Sequence, residues 1–368
     1  MKTLHGIHVY AIFRFAVNFN PFTYKGMRPT ESNSPSRSIT STADLARHMG
    51  VSRWTISQVI NGHSRIGDET RAKVLKTMRE VGFSPSPFGR GLRGAKTSLV
   101  GICVPDIFTP TLASKAQLFQ EMMRSFGYNT LIEIANTAEL QISAIQHFST
   151  SKAEGAILVQ NQSPQIVEAL HNTGMPVVLL DCEAPRFSSV SCDRPLAMAM
   201  QMDHLINLGH RKFAFLGMSD TRWIVYQELF KKHRIHPSRD VRIFARANQV
   251  VHDAAYGNLV AEEFLSSRWD ATAVIALNDY IGIVAMERLR RAGIKVPEDI
   301  SIIGGFENMV VNDYILPGLT SIDQRVEVIM KTAVELLLAQ IRGKGRCTRK
   351  NIKPVLVKRG STGSARSN

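Results

Sequence analysis

From residue 99 onward, short apolar runs punctuate the chain: LVGICV (99–104), TLIEI (130–134), AILV (156–159), PVVLL (176–180), KFAFLG (212–217), TAVIAL (272–277), ISIIGG (300–305) and LVK (356–358). Between them lie stretches with apolar residues at three- and four-residue spacing, such as AQLFQEMMRSFG (116–127) and PLAMAMQMDHLINLG (195–209). Runs this short suit strands covered on both faces, and their alternation with helical stretches means βαβ units and parallel sheets. An α/β core is the expectation from about Leu99 onward.

The pattern before residue 98 is different. The segment STADLARHMGVSRWTISQVING (41–62) has the spacing of two short helices that cross closely. With Thr42 as position one of such a motif, Ala46 falls at five, where only a small side chain lets the second helix approach. Gly50 falls at nine, in the turn, where φ > 0 is needed. Leu45, Met49, Ile56 and Val59 share a small core, Ser52 is placed to cap the second helix, and Arg53, Trp54, Thr55, Ser57 and Gln58 point outward. This is the grammar of a helix-turn-helix, whose second helix reads bases in a major groove. A generic helical hairpin is the alternative.

A third helix follows, with Gly67 as a permissive cap, Asp68 and Glu69 in its first turn, and Val74, Leu75, Met78 and Val81 on its apolar face. SPSPFGRGLRGAKTS (84–98) then reads as a linker, holding two prolines and three glycines. Residues 1–26 are rich in aromatics, and Arg14 breaks their one apolar stretch, so they make a poor signal peptide. Met27 opens a polar lead and is expected to be the physiological start, with residues 1–38 an arm outside the folded domains.

Charge narrows the partner. The 368 residues carry a formal charge of +14. Between Thr40 and Thr97, ten Lys or Arg face four acids, the footprint of a polyanion-binding module. Another nine Lys or Arg and no acid lie from Arg342 onward, which reads as a solvated basic tail. The four cysteines show no CxxC pairing, which fits reduced thiols and a cytoplasmic setting. No His cluster has the ligands of a zinc site, so no metal is expected, and no apolar run approaches the roughly 20 residues of a membrane span.

Ten landmarks in order carry a wider resemblance: ADLARHMGVSRWTISQVING, DETRAKVLKTMREVGF, VGICVPD, EGAILV, MPVVLLD, HLINLGHRKFAFLG, TAVIALND, GIKVPEDISIIGGFEN, PGLTSID and VKRGST. From about Thr40 to Thr362 the chain resembles the lactose-repressor family of bacterial transcription regulators. The resemblance implies a helix-turn-helix headpiece (39–83), a hinge (84–97) and a core (98–362) of two doubly wound subdomains like periplasmic sugar-binding proteins, followed by a tail (363–368). The N-subdomain is expected over 98–195 and 326–353 and the C-subdomain over 196–325 and 354–362, with crossovers near Pro195, Arg325 and Pro354.

Residue by residue, the resemblance makes Arg53, Trp54 and Gln58 base readers. Arg suits guanine and Gln suits adenine, while Trp54 offers only packing on a thymine methyl or sugar, or simply covers the module's side. Ser52, Thr55 and Asn61 match phosphate contacts, and Leu92 matches a leucine wedge for the minor groove. The hinge departs from the family, because Pro87, Phe88, Gly89 and Gly91 replace alanine-rich helix formers.

For an effector cleft the matching positions are Asp106, Phe108, Asp181, Asp193, Arg222, Asn278, Asp279, Phe306, Glu307 and Gln324. Such groups suit a hydroxyl-rich ligand, a sugar or sugar acid, and Arg222 adds affinity for a carboxylate or phosphate. Asp181 and Asp193 also read as strand terminators or caps, and Trp223 as a sugar platform or a loop anchor. Val225 replaces a small family residue, and GGFEN replaces GFDD, so Glu307 is one methylene longer.

The function expected is a ligand-responsive, sequence-specific DNA-binding regulator, most simply a repressor of carbohydrate genes. It would act as a homodimer on a pseudo-palindromic duplex, with a small-molecule effector, no cofactor and no membrane partner. A periplasmic-type sugar-binding protein is the alternative. An enzyme is disfavoured because the sequence holds no GxGxxG after a strand, no GxxxxGK[ST] and no GxSxG.

Overall fold

The computed structural model describes residues 39–60, 66–83, 96–159, 163–217, 220–245 and 254–366. The chain divides into two compact units, Met1–Pro85 and Ser86–Asn368. The expected arm, most of the hinge, Asn61 and Leu92 lie outside the described residues.

In the first unit, α1 (Thr42–Met49), α2 (Arg53–Ile60) and α3 (Asp68–Glu80) surround a core of Leu45, Ala46, Ile56, Val59, Val74 and Phe83. A reciprocal cap fixes the start of α1. Ser41 Oγ accepts from the Asp44 amide at 3.1 Å, and the Asp44 carboxylate accepts from the Ser41 amide at 3.1 Å. Gly50 ends α1 at φ 65°, a left-handed turn that costs a glycine little. Leu75 is an exception to its expected place, being 43% exposed. The stripe on α3 runs 74, 78, 81, and Leu75 sits one helical step, about 100°, off it.

The second unit holds two parallel sheets. In the first the strand order is β11-β5-β4-β3-β1-β2, from β1 (Leu99–Val104), β2 (Asn129–Ile134), β3 (Ala156–Val159), β4 (Val177–Leu180), β5 (Ser188–Cys192) and β11 (Arg349–Ile352). In the second, β6 (Phe213–Leu216), β7 (Val241–Phe244), β8 (Ala273–Ala276) and β9 (Ser301–Ile303) take the order β7-β6-β8-β9. β10 (Ser321–Asp323) and β12 (Val355–Val357) form an antiparallel ribbon.

The apolar runs are strands because helices cover both faces. On β1, Val100, Ile102 and Val104 pack with Leu112 and Phe119 of α4 (Pro110–Ser125) and Leu337 of α12 (Val326–Ile341). The opposite face carries Cys103 against Ile145 and Phe148 of α5 (Ala138–Thr150). A Cβ on Gly101 would sit 2.7 Å from the Phe148 ring, so the strand approaches α5 only with glycine there. β2 is the edge strand, which is why Ile132 and Ile134 are 41% and 52% exposed. The remaining helices in order are α6 (Pro164–Thr173), α7 (Arg194–Asn207), α8 (Asp220–His233), α9 (Pro237–Asp240), α10 (Ala254–Ser266) and α11 (Asp279–Arg291).

Three times the chain passes between sheets. It leaves the first through Asp193 into α7, returns from β10 through Arg325 into α12, and leaves again between β11 and β12. The basic C-terminal stretch is not simply solvated. β11 pairs with β5, and Arg359 donates to Asp313 at 2.5 Å and Asn308 at 2.8 Å. Residues 363–366, expected as a tail, are strapped down. The Gly363 carbonyl lies 3.0 Å from the His210 ring, and the Ala365 amide donates to Leu208 at 2.8 Å.

Candidate nucleic-acid interface and ligand cleft

The first turn of α2 is built around Ser52. Its Oγ accepts from the Thr55 amide at 3.0 Å and lies 2.9 Å from Thr55 Oγ1, which satisfies one orphan donor at the helix start. Arg53 and Trp54 project from that turn, Trp54 with 56% of its surface in solvent, while Thr55 and Gln58 are half-buried. No acid lies in the turn, so nothing there offsets the positive end of the helix or the Arg53 charge.

In the second unit a cleft of about 640 Å³ opens between the two sheets, beyond the carboxyl ends of β1, β4 and β8. Parallel sheets place ligand sites there because loops diverge at that edge. Of the expected residues, Asp106, Phe108, Asp181, Arg222, Asn278, Phe306, Glu307 and Gln324 line it. They are not equivalent. Asp106 ties the turn that leads into α4, accepting from the amides of Phe108 at 2.9 Å and Thr109 at 2.7 Å and from Thr109 Oγ1 at 3.1 Å. Phe108 stands 88% exposed at the mouth. Asn278 caps α11, accepting from the Ile281 amide at 2.9 Å.

The floor is a buried ion pair absent from the sequence reading. Lys115 of α4 and Asp181 hydrogen-bond with side chains only 2% and 1% exposed, and Arg194 Nη2 lies 3.9 Å from the second carboxylate oxygen. Burial pushes the Asp181 pKa up, but the Lys115 ammonium, with Arg194 behind it, more than offsets this and holds it below the ordinary value. Asp181 adopts φ 58°, which turns the chain sharply after β4 and aims the carboxylate back under the cleft. Its Oδ1 is buried with no partner at hydrogen-bond distance, the Cys192 amide nearby helping to hold the carboxylate charged, and Gln324 Oε1 is likewise without a partner.

The opposite wall belongs to the second sheet. Arg222 donates to the Leu277 carbonyl at 2.5 Å and sits 4.7 Å over the Phe306 ring. Burial, then the nearby Arg194 charge, lowers its pKa to about 10. Glu307 accepts from the Asp279 amide at 3.2 Å, and burial followed by repulsion from Asp279 lifts its pKa to about 7.

Two expected residues stay out of the cleft lining. Asp193 is the N-cap of α7, its Oδ1 accepting from the Leu196 amide at 3.0 Å. Asp279 is fully buried and consumed by framework bonds, accepting from Ser321 Oγ at 2.6 Å, Asn312 Nδ2 at 2.6 Å and the Met309 amide at 3.1 Å. Burial pushes its pKa up although those bonds act the other way. Trp223 lies outside the cleft lining and packs as a core anchor, edge-on to Phe215 at 5.8 Å and to Phe230 at 5.5 Å. Lys115, Arg194, Asn136 and Thr111 line the cleft and were not singled out from sequence.

Residues 42–86 match the family described as bacterial regulatory proteins, lacI family, and residues 202–362 match the periplasmic binding protein-like domain. Catabolite control protein A of Priestia megaterium is 27% identical over 301 residues, covering 80% of this chain and 90% of that protein. The HTH-type transcriptional repressor PurR of Aliivibrio salmonicida is 27% identical over 317 residues, covering 82% and 92%. Among solved structures, the Lac repressor dimer bound to operator and the anti-inducer ONPF matches with TM-score 0.77 at 21% identity, covering 88% of this chain and 99% of that one. A CelR–cellobiose complex matches at TM-score 0.63 and 22% identity, covering 87% and 99%. The fold is therefore a helix-turn-helix headpiece with a periplasmic-binding-protein-like α/β core.

Proposed function

From a chain that carries a lacI-family helix-turn-helix domain ahead of a periplasmic-binding-protein-like domain, we propose a ligand-responsive transcription regulator that binds duplex DNA as a homodimer. The observation that carries this is the pairing, in one chain, of an acid-free recognition turn bearing Arg53 and Trp54 with a cleft lined by buried polar groups. Arg53 and Gln58 read base edges, Trp54 packs on a methyl or sugar, and Ser52, Thr55 and Asn61 hold phosphates. Leu92 enters the minor groove at the centre of a pseudo-palindromic site.

The ligand is a hydroxyl-rich small molecule of the sugar or sugar-acid class. Asp181 and Gln324 each keep a buried oxygen in need of a donor, which hydroxyl groups supply. A ligand that binds one arrangement of the two lobes better than the other shifts the population between them, and the headpieces respond to that shift. No covalent step is involved. Relatives named as regulators and neighbours whose structures hold a sugar or operator DNA support the same reading.

Selection of bound duplexes from a random pool tests it. A pseudo-palindromic consensus should emerge, and log affinity for it should fall linearly with log salt. Absence of enrichment, or a salt slope near zero, would overturn the reading.

A further inference from the structure

The charges lining the cleft balance in number but not in pairing. Lys115, Arg194 and Arg222 face Asp106, Asp181 and Glu307. Both oxygens of Asp106 accept from the turn before α4, and Asp181 is matched by Lys115. Glu307 carries only part of its charge near neutral pH. What remains is Arg194, 37% exposed and 3.9 Å from the already paired Asp181, and Arg222, which makes no ion pair among the described residues and donates to a carbonyl. The two guanidiniums border one cavity, and the Arg194 charge helps lower the Arg222 pKa. A guanidinium that borders a cavity without a carboxylate of its own is a ready partner for an incoming anion.

We propose that the cleft takes an anionic ligand, a small hydroxylated molecule with one carboxylate or phosphate. Its acid group sits between Arg194 and Arg222, and its hydroxyls donate to Asp181 Oδ1 and Gln324 Oε1. The inference rests on the ligand-binding reading of the cleft and deepens it. Lys115 has a distinct part. By neutralising Asp181 it keeps that carboxylate from repelling the incoming acid, while leaving Oδ1 open as an acceptor. An uncharged sugar would satisfy the acceptors and bring no charge to either guanidinium.

Thermal unfolding of the full-length chain tests this with matched probes: D-gluconate beside D-glucitol, and glucose 6-phosphate beside glucose, with inorganic phosphate beside chloride at equal ionic strength. The expected result is stabilisation by inorganic phosphate and by at least one organic acid beyond its uncharged counterpart. The gluconate and sugar-phosphate arms tell carboxylate from phosphate. Arg194→Gln and Arg222→Gln should each weaken that response roughly tenfold or more, the loss of a charge-assisted hydrogen bond. Arg194 is part-exposed, so its variant folds even if the Arg222 variant does not. Stabilisation by glucose or glucitol without any by the acids would overturn the anionic assignment and leave the cleft reading intact. No response to any probe, or a phosphate response unchanged in Arg194→Gln, would overturn the assignment. In the first of those cases the cleft reading falls with it.

Discussion

Lys115 and Asp181 allow a quantitative test of how the cleft floor is held. Both side chains are almost excluded from water, at 2% and 1% exposure, so deleting one partner strands the other's charge. Neutralisation caps each cost. A stranded lysine sheds its proton at pH 7 for about 1.36 × (10.4 − 7), roughly 5 kcal/mol, and a stranded aspartate gains one for about 1.36 × (7 − 3.9), roughly 4 kcal/mol. Lys115→Met should fall below its cap, near 3 kcal/mol, because Arg194 at 3.9 Å still attracts the carboxylate. Asp181→Asn keeps the shape and tolerates φ 58°, and should cost about 3–5 kcal/mol. The double variant removes both charges and should cost only about 1 kcal/mol, so the coupling is several kcal/mol. Urea unfolding followed by Trp223 and Trp269 fluorescence in a Trp54→Phe background reports on the second unit. If the single costs add in the double to within about 0.5 kcal/mol, the pair is not coupled and the account of the floor fails.

Glu307, with its pKa lifted from 4.5 to about 7, binds its proton more tightly folded than unfolded. Its effect on stability is therefore most favourable below about pH 4.5 and declines through pH 7, by at most about 3 kcal/mol. Glu307→Gln should gain stability relative to the parent between pH 5 and pH 8, and urea midpoints showing the same difference at both would contradict this. Asp279→Ala should destabilise the second unit by about 3–5 kcal/mol by stranding the donors of Ser321, Asn312 and Met309, seen as a lower unfolding temperature. An unchanged melt with weakened ligand response would instead return Asp279 to the cleft. Arg53→Ala should cost about 1–3 kcal/mol on a selected operator and much less on random duplex, read by fluorescence anisotropy. Equal losses on both would make Arg53 a backbone contact.

The sequence pattern carried the headpiece and most strands because their burial is local and periodic. Ala46, Gly50, Ile56 and Val59 take the places their spacing demands. β5 and β7 were harder to see. SSVSC is buried through polar atoms, Ser188 Oγ meeting the Thr348 amide at 3.1 Å and Gln340 Nε2 at 2.8 Å, and VRIF exposes its two central residues. Within the cleft, positions set by strand ends were legible and positions set by tertiary pairing were not. Lys115 looks like one more polar residue on a helix until Asp181, 66 residues away, comes beneath it. Asp193 and Asp279 show the converse, since an acid at a helix start has the same local signature whether it binds a ligand, caps the helix or ties loops together.

The three passages between sheets also have a consequence in time. The first sheet receives β5 at residue 192, yet its edge strand β11 and the helix α12 that covers Val178 and Leu180 are encoded only at 326–352, after the whole second sheet. On a ribosome adding about 5–20 residues per second, the half-built lobe waits roughly ten to thirty seconds with that apolar face uncovered. The second sheet can close first, although it begins later. Aggregation during synthesis should therefore originate in the earlier lobe, and slow codons placed between residues 207 and 325 should worsen yield more than the same codons after 352.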